Sequence, residues 1–441
     1  MVSTSNWSNT RLGDLLTIKH GWPFKTAFIS EHLTGKPIVV NIGNFKYTGG
    51  FRFDTTKVRE YDGKYPREYE LKPGDILLIM TCQTSEGEIL GVPARVPDNG
   101  RVYLHNQRLG KVIVTCPGKV DPDFLYWLFL WSKFNRWLFD SSSGTKILHT
   151  APKRIEGFEF DLPSLNEQHA IASILDSLDR KIELNQQMRD TLEAIAKATF
   201  KHWFTNFEFP NEEGKPYKSS GGELVYSEEL GKEIPKGWRV GELEEFIDLD
   251  KGLSYKGEFL SNKGTPLVNL GTIAPGSGFI YEGLKHYTGK YKERQLVKAG
   301  DIVIANTDIT QRREVLGSPA VVPPYLGSEK VLFTHHIFAV RIKSFLPVSF
   351  IYYLLQTKGY KDRAKGFATG TTVLALPRDT VLALPFAVPD KTVVERFNAL
   401  FSLICQRTNT SNMQSRHLAR IRDSILPKLM SGKIRVPVEV R

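Results

Sequence analysis

Side chains able to read base edges gather in a few short polar runs of this chain. Thr81-Cys82-Gln83-Thr84-Ser85-Glu86 follows one strand-like Gly-Asp segment, and Asn306-Thr307-Asp308-Ile309-Thr310-Gln311-Arg312-Arg313 follows another. In a major groove, Arg suits guanine, Gln or Asn suits adenine, and Asp or Glu suits cytosine. Asn41, Asn44, Lys46 and Tyr47, with Asn269 and Thr272, form a second set of this class, and Asn106, Gln107 and Arg108, with His335 and His336, a third. Lys146 and His149 follow Ser143-Gly144-Thr145, and Thr371 closes the matching Thr369-Gly370-Thr371; these suit phosphates as well as bases. A solvated surface loop would carry the same residue types, so both readings stay open at this level.

Catalytic constellations are absent from the sequence. Val322-Pro323-Pro324-Tyr325 has the shape of an adenine-methyltransferase loop, but valine has no acceptor for the target amino group. The compact Glu213-Gly214-Lys215 lies outside any strand context, so it does not supply the carboxylates on adjacent strands that a metal-dependent nuclease needs. There is no phosphate-binding Gly-x-x-x-x-Gly-Lys loop. His335 and His336 are neighbours, and on a strand they would point to opposite faces, which argues against shared metal ligation. The expectation is a chain with no catalytic residue and no metal site.

The frame around the polar runs is written twice. Ile89-Leu90-Gly91-Val92-Pro93-Ala94 recurs as Val315-Leu316-Gly317-Ser318-Pro319-Ala320, a shift of 315 − 89 = 226 positions. The same shift maps Lys72-Pro73-Gly74-Asp75-Ile76 onto Lys298-Ala299-Gly300-Asp301-Ile302, and Ser143-Gly144-Thr145 onto Thr369-Gly370-Thr371. A period of this length exceeds the roughly 20–50 residues of solenoid units, so each copy is domain-sized. The frame repeats while the polar runs differ.

Short β-rich runs punctuated by Gly and Pro, with local helices expected over 124–139 and 348–355, predict an α+β module. Each module leads into a long helix. Ser164-Leu165-Asn166-Glu167 matches a capping box, and apolar residues at Ile171, Leu175, Leu178, Ile182, Met188, Leu192 and Ile195 trace a coiled-coil-like seam that slips near Asn185. The expected division is module 1 over 1–163, helix 164–206, exposed linker 207–235, module 2 over 236–389, helix 390–432 and tail 433–441. The two helices are expected to pack on each other.

Net charge +11 over 441 residues favours a polyanionic partner. Three separated cysteines and no apolar stretch long enough to span a bilayer predict a cytoplasmic protein without a disulfide framework.

With these features in place, the chain resembles the specificity subunit of Type I restriction-modification systems over essentially its full length. The resemblance rests on the paired Gly-Asp-Ile strands and the paired Gly-Thr turns. It extends to Leu162-Pro163-Ser164-Leu165-Asn166-Glu167-Gln168, to Phe200-Lys201-His202-Trp203-Phe204, to Ile234-Pro235-Lys236-Gly237-Trp238 and to Leu426-Pro427-Lys428-Leu429. The second copy departs from it, since Pro389-Asp390-Lys391-Thr392-Val393-Val394-Glu395 lacks the Glu-Gln pair. The resemblance implies two target recognition domains, each reading half of a bipartite site in double-stranded DNA, with an antiparallel pair of helices as spacer. It also implies two methyltransferase subunits and, in the full complex, restriction subunits as partners. S-adenosylmethionine, ATP and Mg2+ would belong to those partners. Half-sites about one turn, roughly 34–36 Å, apart are expected. A stand-alone nucleic-acid-binding scaffold is the alternative.

Overall fold

The computed structural model describes residues 7–53, 58–84, 86–144, 147–309 and 313–437. The chain divides into two compact units, one of residues 1–183 with 415–441 and the other of 184–414. Each unit holds one module and part of each long helix.

In the first unit, Ile76–Ile79 is apolar at every position and buried at every position, as a central strand covered on both faces must be. It lies in a four-stranded antiparallel sheet ordered Leu16–His20, Leu109–Val114, Ile76–Ile79, Pro93–Arg95. A five-stranded sheet runs Ile29–Ser30, Glu60–Tyr61, Ile38–Val40, Tyr103–His105, Glu70–Leu71, with its one parallel pair between Ile38–Val40 and Tyr103–His105. Strand Ser8–Arg11 pairs with Glu159–Leu162, which delivers the chain to the first long helix.

The expected single helix over 124–139 is two helices, Pro122–Phe129 and Ser132–Asp140. Trp131 is extended between them. The first helix has Phe124 through Phe129 all buried, whereas the second buries only Phe134 and Leu138 along one face. One straight rod could not place a fully enclosed segment and a surface segment on the same core.

The second unit repeats this topology strand for strand. Its four-stranded sheet is Ile247–Lys251, Ile337–Ile342, Ile302–Ala305, Pro319–Val321, and its five-stranded sheet is Leu260–Ser261, Lys285–Tyr287, Thr265–Val268, Val331–Phe333, Leu296–Val297. The helix pair recurs as Val348–Leu354 and Lys358–Gly366. The segment expected to be a plain linker contains a β-hairpin, Leu224–Ser227 with Lys232–Pro235. Phe209 anchors it by stacking between Tyr217 (4.6 Å) and Trp238 (5.1 Å), so the apolar side chains outweigh the polar composition around them.

The long helices are Leu165–Phe200, continued by a π-helical turn Lys201–Thr205, and Lys391–Met430. They pair in opposite directions, early residues of one with late residues of the other. In the first unit Ile171 and Leu175 share a core with Leu426 and Leu429, and Arg422 donates to Asp179 at 2.5 Å. In the second, Ala196 and Phe200 share a core with Phe397 and Phe401. Asn185, at the slip in the seam, is fully buried and donates to Gln414 at 3.0 Å. A buried amide pair of this kind fixes helix register at some cost in stability.

The capping box is half realised. The Ser164 hydroxyl accepts from the Glu167 N–H, but the Glu167 carboxylate accepts from Trp7 Nε1 (2.9 Å) and from Arg435 Nε (2.6 Å) instead of turning back. At the far end, Gly432 takes φ +66° and its N–H caps the Leu429 carbonyl, as its place after the last apolar residue predicts.

Candidate nucleic-acid interface

Three loops meet at one end of each module. In the first, Thr81–Cys82 leaves the central strand and pairs with Leu148–His149 of the Gly-Thr hairpin. The Met80 N–H donates to the Arg108 carbonyl (3.1 Å), the Thr150 N–H to the Met80 carbonyl (3.0 Å), and Gln107 N–H to the Trp22 carbonyl (3.1 Å). Gln83, Thr84, Gln107, Arg108 and His149 are exposed there, on loops tied together by backbone bonds.

The second module builds the same end from different residues. Thr307–Asp308 pairs with Leu374–Ala375, the Asn306 N–H donates to the His336 carbonyl (3.0 Å), and the His335 N–H to the Leu253 carbonyl (2.9 Å). One coupling is kept across the repeat: Thr81 Oγ1 lies 3.1 Å from His149 Nδ1, and the equivalent Thr307 Oγ1 lies 3.0 Å from His336 Nδ1. The histidines come from different loops in the two modules.

The paired Gly-Thr turns have a steric cause. Gly144 has φ +109°, and a Cβ there would meet the Ile147 carbonyl oxygen at 2.0 Å; Gly370 has φ +97°, and the Val373 carbonyl oxygen would lie at 2.3 Å. Only glycine closes these hairpins.

Several of the sequence-selected residues have other employment. Asn41 and Asn44 cap their own turn: Asn41 Oδ1 accepts from Gly43 N–H, and Asn44 Oδ1 accepts from Asn41 N–H. Asn269 does the same for Gly271 and donates to the Gly283 carbonyl, while the Thr272 hydroxyl donates to the Asn269 carbonyl. Asn44 and Thr272 are buried, so their loops are frame in both copies. Asn306 is buried with Nδ2 donating to the His335 carbonyl. Asp308 is buried, its carboxylate accepting from the N–H groups of Val315 and Leu316. Asn106 Oδ1 accepts from Arg108 N–H, which sets the turn that exposes Gln107 and Arg108.

Lys46 and Tyr47 are exposed but belong to a different neighbourhood, where Tyr47 lines a cavity with Trp127 and Arg422. Arg313 donates to the Lys365 carbonyl, and Thr371 stands exposed on its hairpin. Ser85, Lys146, Thr310, Gln311 and Arg312 lie outside the described residues.

The expectation for the His pair needs correcting. His335 and His336 sit on a turn between strands, with ring centroids 3.8 Å apart, because a turn does not alternate its side chains as a strand does. Burial first, then His335 and Lys251, holds the His336 pKa below its ordinary value. A neutral ring can both donate and accept, which suits a base edge. Among the described residues no group of three or more His, Cys, Asp or Glu could hold a metal.

The loop carrying Trp22 and its counterpart before Tyr255 escaped sequence reasoning. Their signal is a glycine: a Cβ at Gly21 would meet the Asn106 carbonyl oxygen at 2.2 Å, and one at Gly252 the Phe333 carbonyl oxygen at 2.3 Å. These glycines are 252 − 21 = 231 residues apart, five off the 226 register, so a fixed shift passes over them.

Beneath the Gln107–Arg108 turn, His105 is buried with Nε2 at 2.9 Å from the Leu109 carbonyl oxygen. Burial lowers its pKa to about 4, with Lys111 and Lys19 adding to the effect. Between pH 6.5 and 4 the unfolded chain therefore binds the extra proton, and stability is lost as pH falls through that window. At pH 5 the loss relative to pH 7.5 is about 2 kcal/mol. Urea unfolding monitored at both pH values should show it, and His105→Gln should flatten the difference; an unchanged difference would remove His105 as its source.

Comparisons with known proteins agree with this architecture. Residues 4–194 match the family model described as Type I restriction modification DNA specificity domain. The MjaIX specificity subunit of Methanocaldococcus jannaschii is 28% identical over 330 residues, covering 72% of this chain and 70% of its own. The MjaVIII specificity subunit of the same organism is 25% identical over 433 residues, covering 90% and 93%. A crystal structure of the S subunit of a Type I system from M. genitalium superposes with a TM-score of 0.56, at 16% identity and 98% coverage of both chains. That likeness concerns the fold. Among the described residues no helix is long and apolar enough to cross a membrane. With its duplicated α+β module and paired long helices, the chain matches the DNA specificity domain of Type I restriction-modification systems over residues 4–194 and is similar over most of its length to specificity subunits of such systems.

Proposed function

We propose that each module reads one half of a bipartite, gapped site in double-stranded DNA, and that the long helices set the gap and dock two methyltransferase subunits. The observation that carries this reading is the pair of three-loop ends, built on one repeated frame with different exposed residues. Frame bonds made by backbone atoms leave side chains free to vary, which is what two different half-sites require. Exposed Leu184, Ile195, Leu400, Leu403 and Met413 on the long helices support a docking role, since apolar side chains in such number on helix surfaces mark contact faces. Restriction subunits would join in the full complex. S-adenosylmethionine, ATP and Mg2+ would act in the partners, and the site of action would be the cytoplasm.

The test is a methylome of cells expressing this chain with its methyltransferase partner. A gapped, asymmetric, adenine-methylated motif should appear only when the chain is present. Exchanging residues 1–163 for the module of a relative should then change one half of that motif and leave the other. A change in both halves would end the idea of independent reading.

A further inference from the structure

The two units carry a cavity at equivalent places, and the two cavities differ in charge. In the second unit a cavity of about 510 Å3 lies where the first long helix ends against the module's helix pair. Phe200, Phe204, Phe350 and Phe386 line it, together with Lys197, Lys201, Lys232, Lys358 and Lys361, and no Asp or Glu does. Of these lysines, only Lys197 has a carboxylate partner among the described residues, Glu193 at 3.4 Å. The π-helical turn Lys201–Thr205 supplies part of the wall. Such turns are rare and are frequently found at functional sites.

In the first unit a cavity of about 300 Å3 is lined by Trp127, Leu130, Ser132, Asn135, Asp423 and Leu426, among others. Adding 226 turns Trp127, Leu130, Ser132 and Asn135 into Tyr353, Gln356, Lys358 and Lys361. Subtracting 226 turns Asp423 and Leu426 into Lys197 and Phe200. Every one of these counterparts lines the larger cavity. Duplication kept the place, while three matched positions hold lysine in one unit and Ser, Asn and Asp in the other. Glu88 also lines the smaller cavity, and its Arg422 is paired with Asp179 and Asp423.

Lysines gathered without carboxylates repel one another. Burial, Lys197 and Lys365 hold the Lys361 pKa below its ordinary value, in that order. An anionic occupant relieves that repulsion, and an aromatic lining rewards a bulky apolar group that leaves water with it. None of the reading-loop residues lines the cavity, which separates it from the DNA-facing end of its own module. An acidic peptide segment with one large apolar anchor satisfies both demands, in the manner of a buried anchor with a charged rim.

We infer that the second-unit cavity docks such a segment of the methyltransferase partner, and that its first-unit counterpart does not take the same segment. The inference rests on the docking reading above. Two copies of one methyltransferase then bind with unequal affinity, and the step at the second unit is the salt-sensitive one.

The experiment titrates the full chain with purified methyltransferase subunit by calorimetry at about 0.05 and 0.3 M salt. Two unequal steps are expected, the tighter weakening with salt. Lys358→Glu with Lys361→Glu should weaken that step by about ten-fold or more, and Lys358→Arg with Lys361→Arg should keep it. Lys358→Gln with Lys361→Gln repeats the test should charge reversal lower the melting temperature. Two equal steps, or a charge-reversed chain that binds like the parent, would overturn the assignment while leaving docking intact. Release of the tighter step by non-specific duplex DNA would also overturn it, by making DNA the occupant. Absence of any methyltransferase binding by the parent chain would instead bring down the docking reading itself.

Discussion

Arg435→Ala is expected to cost the first unit about 3 kcal/mol, in the lower part of the range for removing one partner of a buried ion pair. Glu167 is 3% exposed, and Arg435 reaches it with two nitrogens, at 2.6 and 2.9 Å. Removing the guanidinium strands the carboxylate in the core with only the Trp7 N–H to satisfy it. For a unit of this size the loss corresponds to a fall in melting temperature of roughly 6–12 °C. The double variant Glu167→Gln with Arg435→Ala should recover part of it, because the stranded charge is gone. Thermal melting of parent, single and double variants decides the matter. Equal melting of the parent and Arg435→Ala would mean that the pair contributes nothing to holding the N-terminal segment and the C-terminal tail on the helix start.

Asp308→Ala is expected to abolish reading by the second module and spare the first. The carboxylate accepts from Val315 N–H at 2.7 Å and Leu316 N–H at 3.1 Å, which ties the strand end at Asp308 to the backbone at Val315 and Leu316. Alanine leaves both donors without that acceptor, the buried Leu316 N–H at about 1–3 kcal/mol. Affinity for the full site should drop by more than about ten-fold. Footprinting should show protection lost over one half-site and kept over the other. Uniform loss over both halves would show that Asp308 supports the whole chain rather than one reading loop.

The two cases differ in what could be read from the amino acids alone. Glu167 is visible as a helix-start residue, and a helix does start there, but its capping partner is replaced by Arg435, 268 residues away. Asp308 looks like one more polar residue in a base-reading run, yet it is buried and accepts from the Val315 and Leu316 N–H groups. Local chemistry is the same in both roles. What differs is which backbone N–H groups or cations the fold brings within 3 Å, and that is a long-range property. The same holds for Asn44, Thr272 and Asn306, whose amide and hydroxyl groups suit a base edge as well as a turn. The His335–His336 pair failed for a related reason, since strand alternation was assumed where the chain turns.

By itself, the sequence determined the duplication, the α+β modules, the long helices and the glycine-closed hairpins, because each depends on short-range pattern. Apolar spacing of three and four residues makes a helix wherever it occurs, and a glycine with positive φ is required by sterics within a few residues. The tertiary structure alone decided which polar residues stay exposed at the three-loop end of each module, that the linker carries an anchored hairpin, and that the two units hold matched cavities of different charge. Those outcomes depend on residues from the long helix, the hairpin and the module meeting in space, and no local pattern encodes which side chains will face one another there.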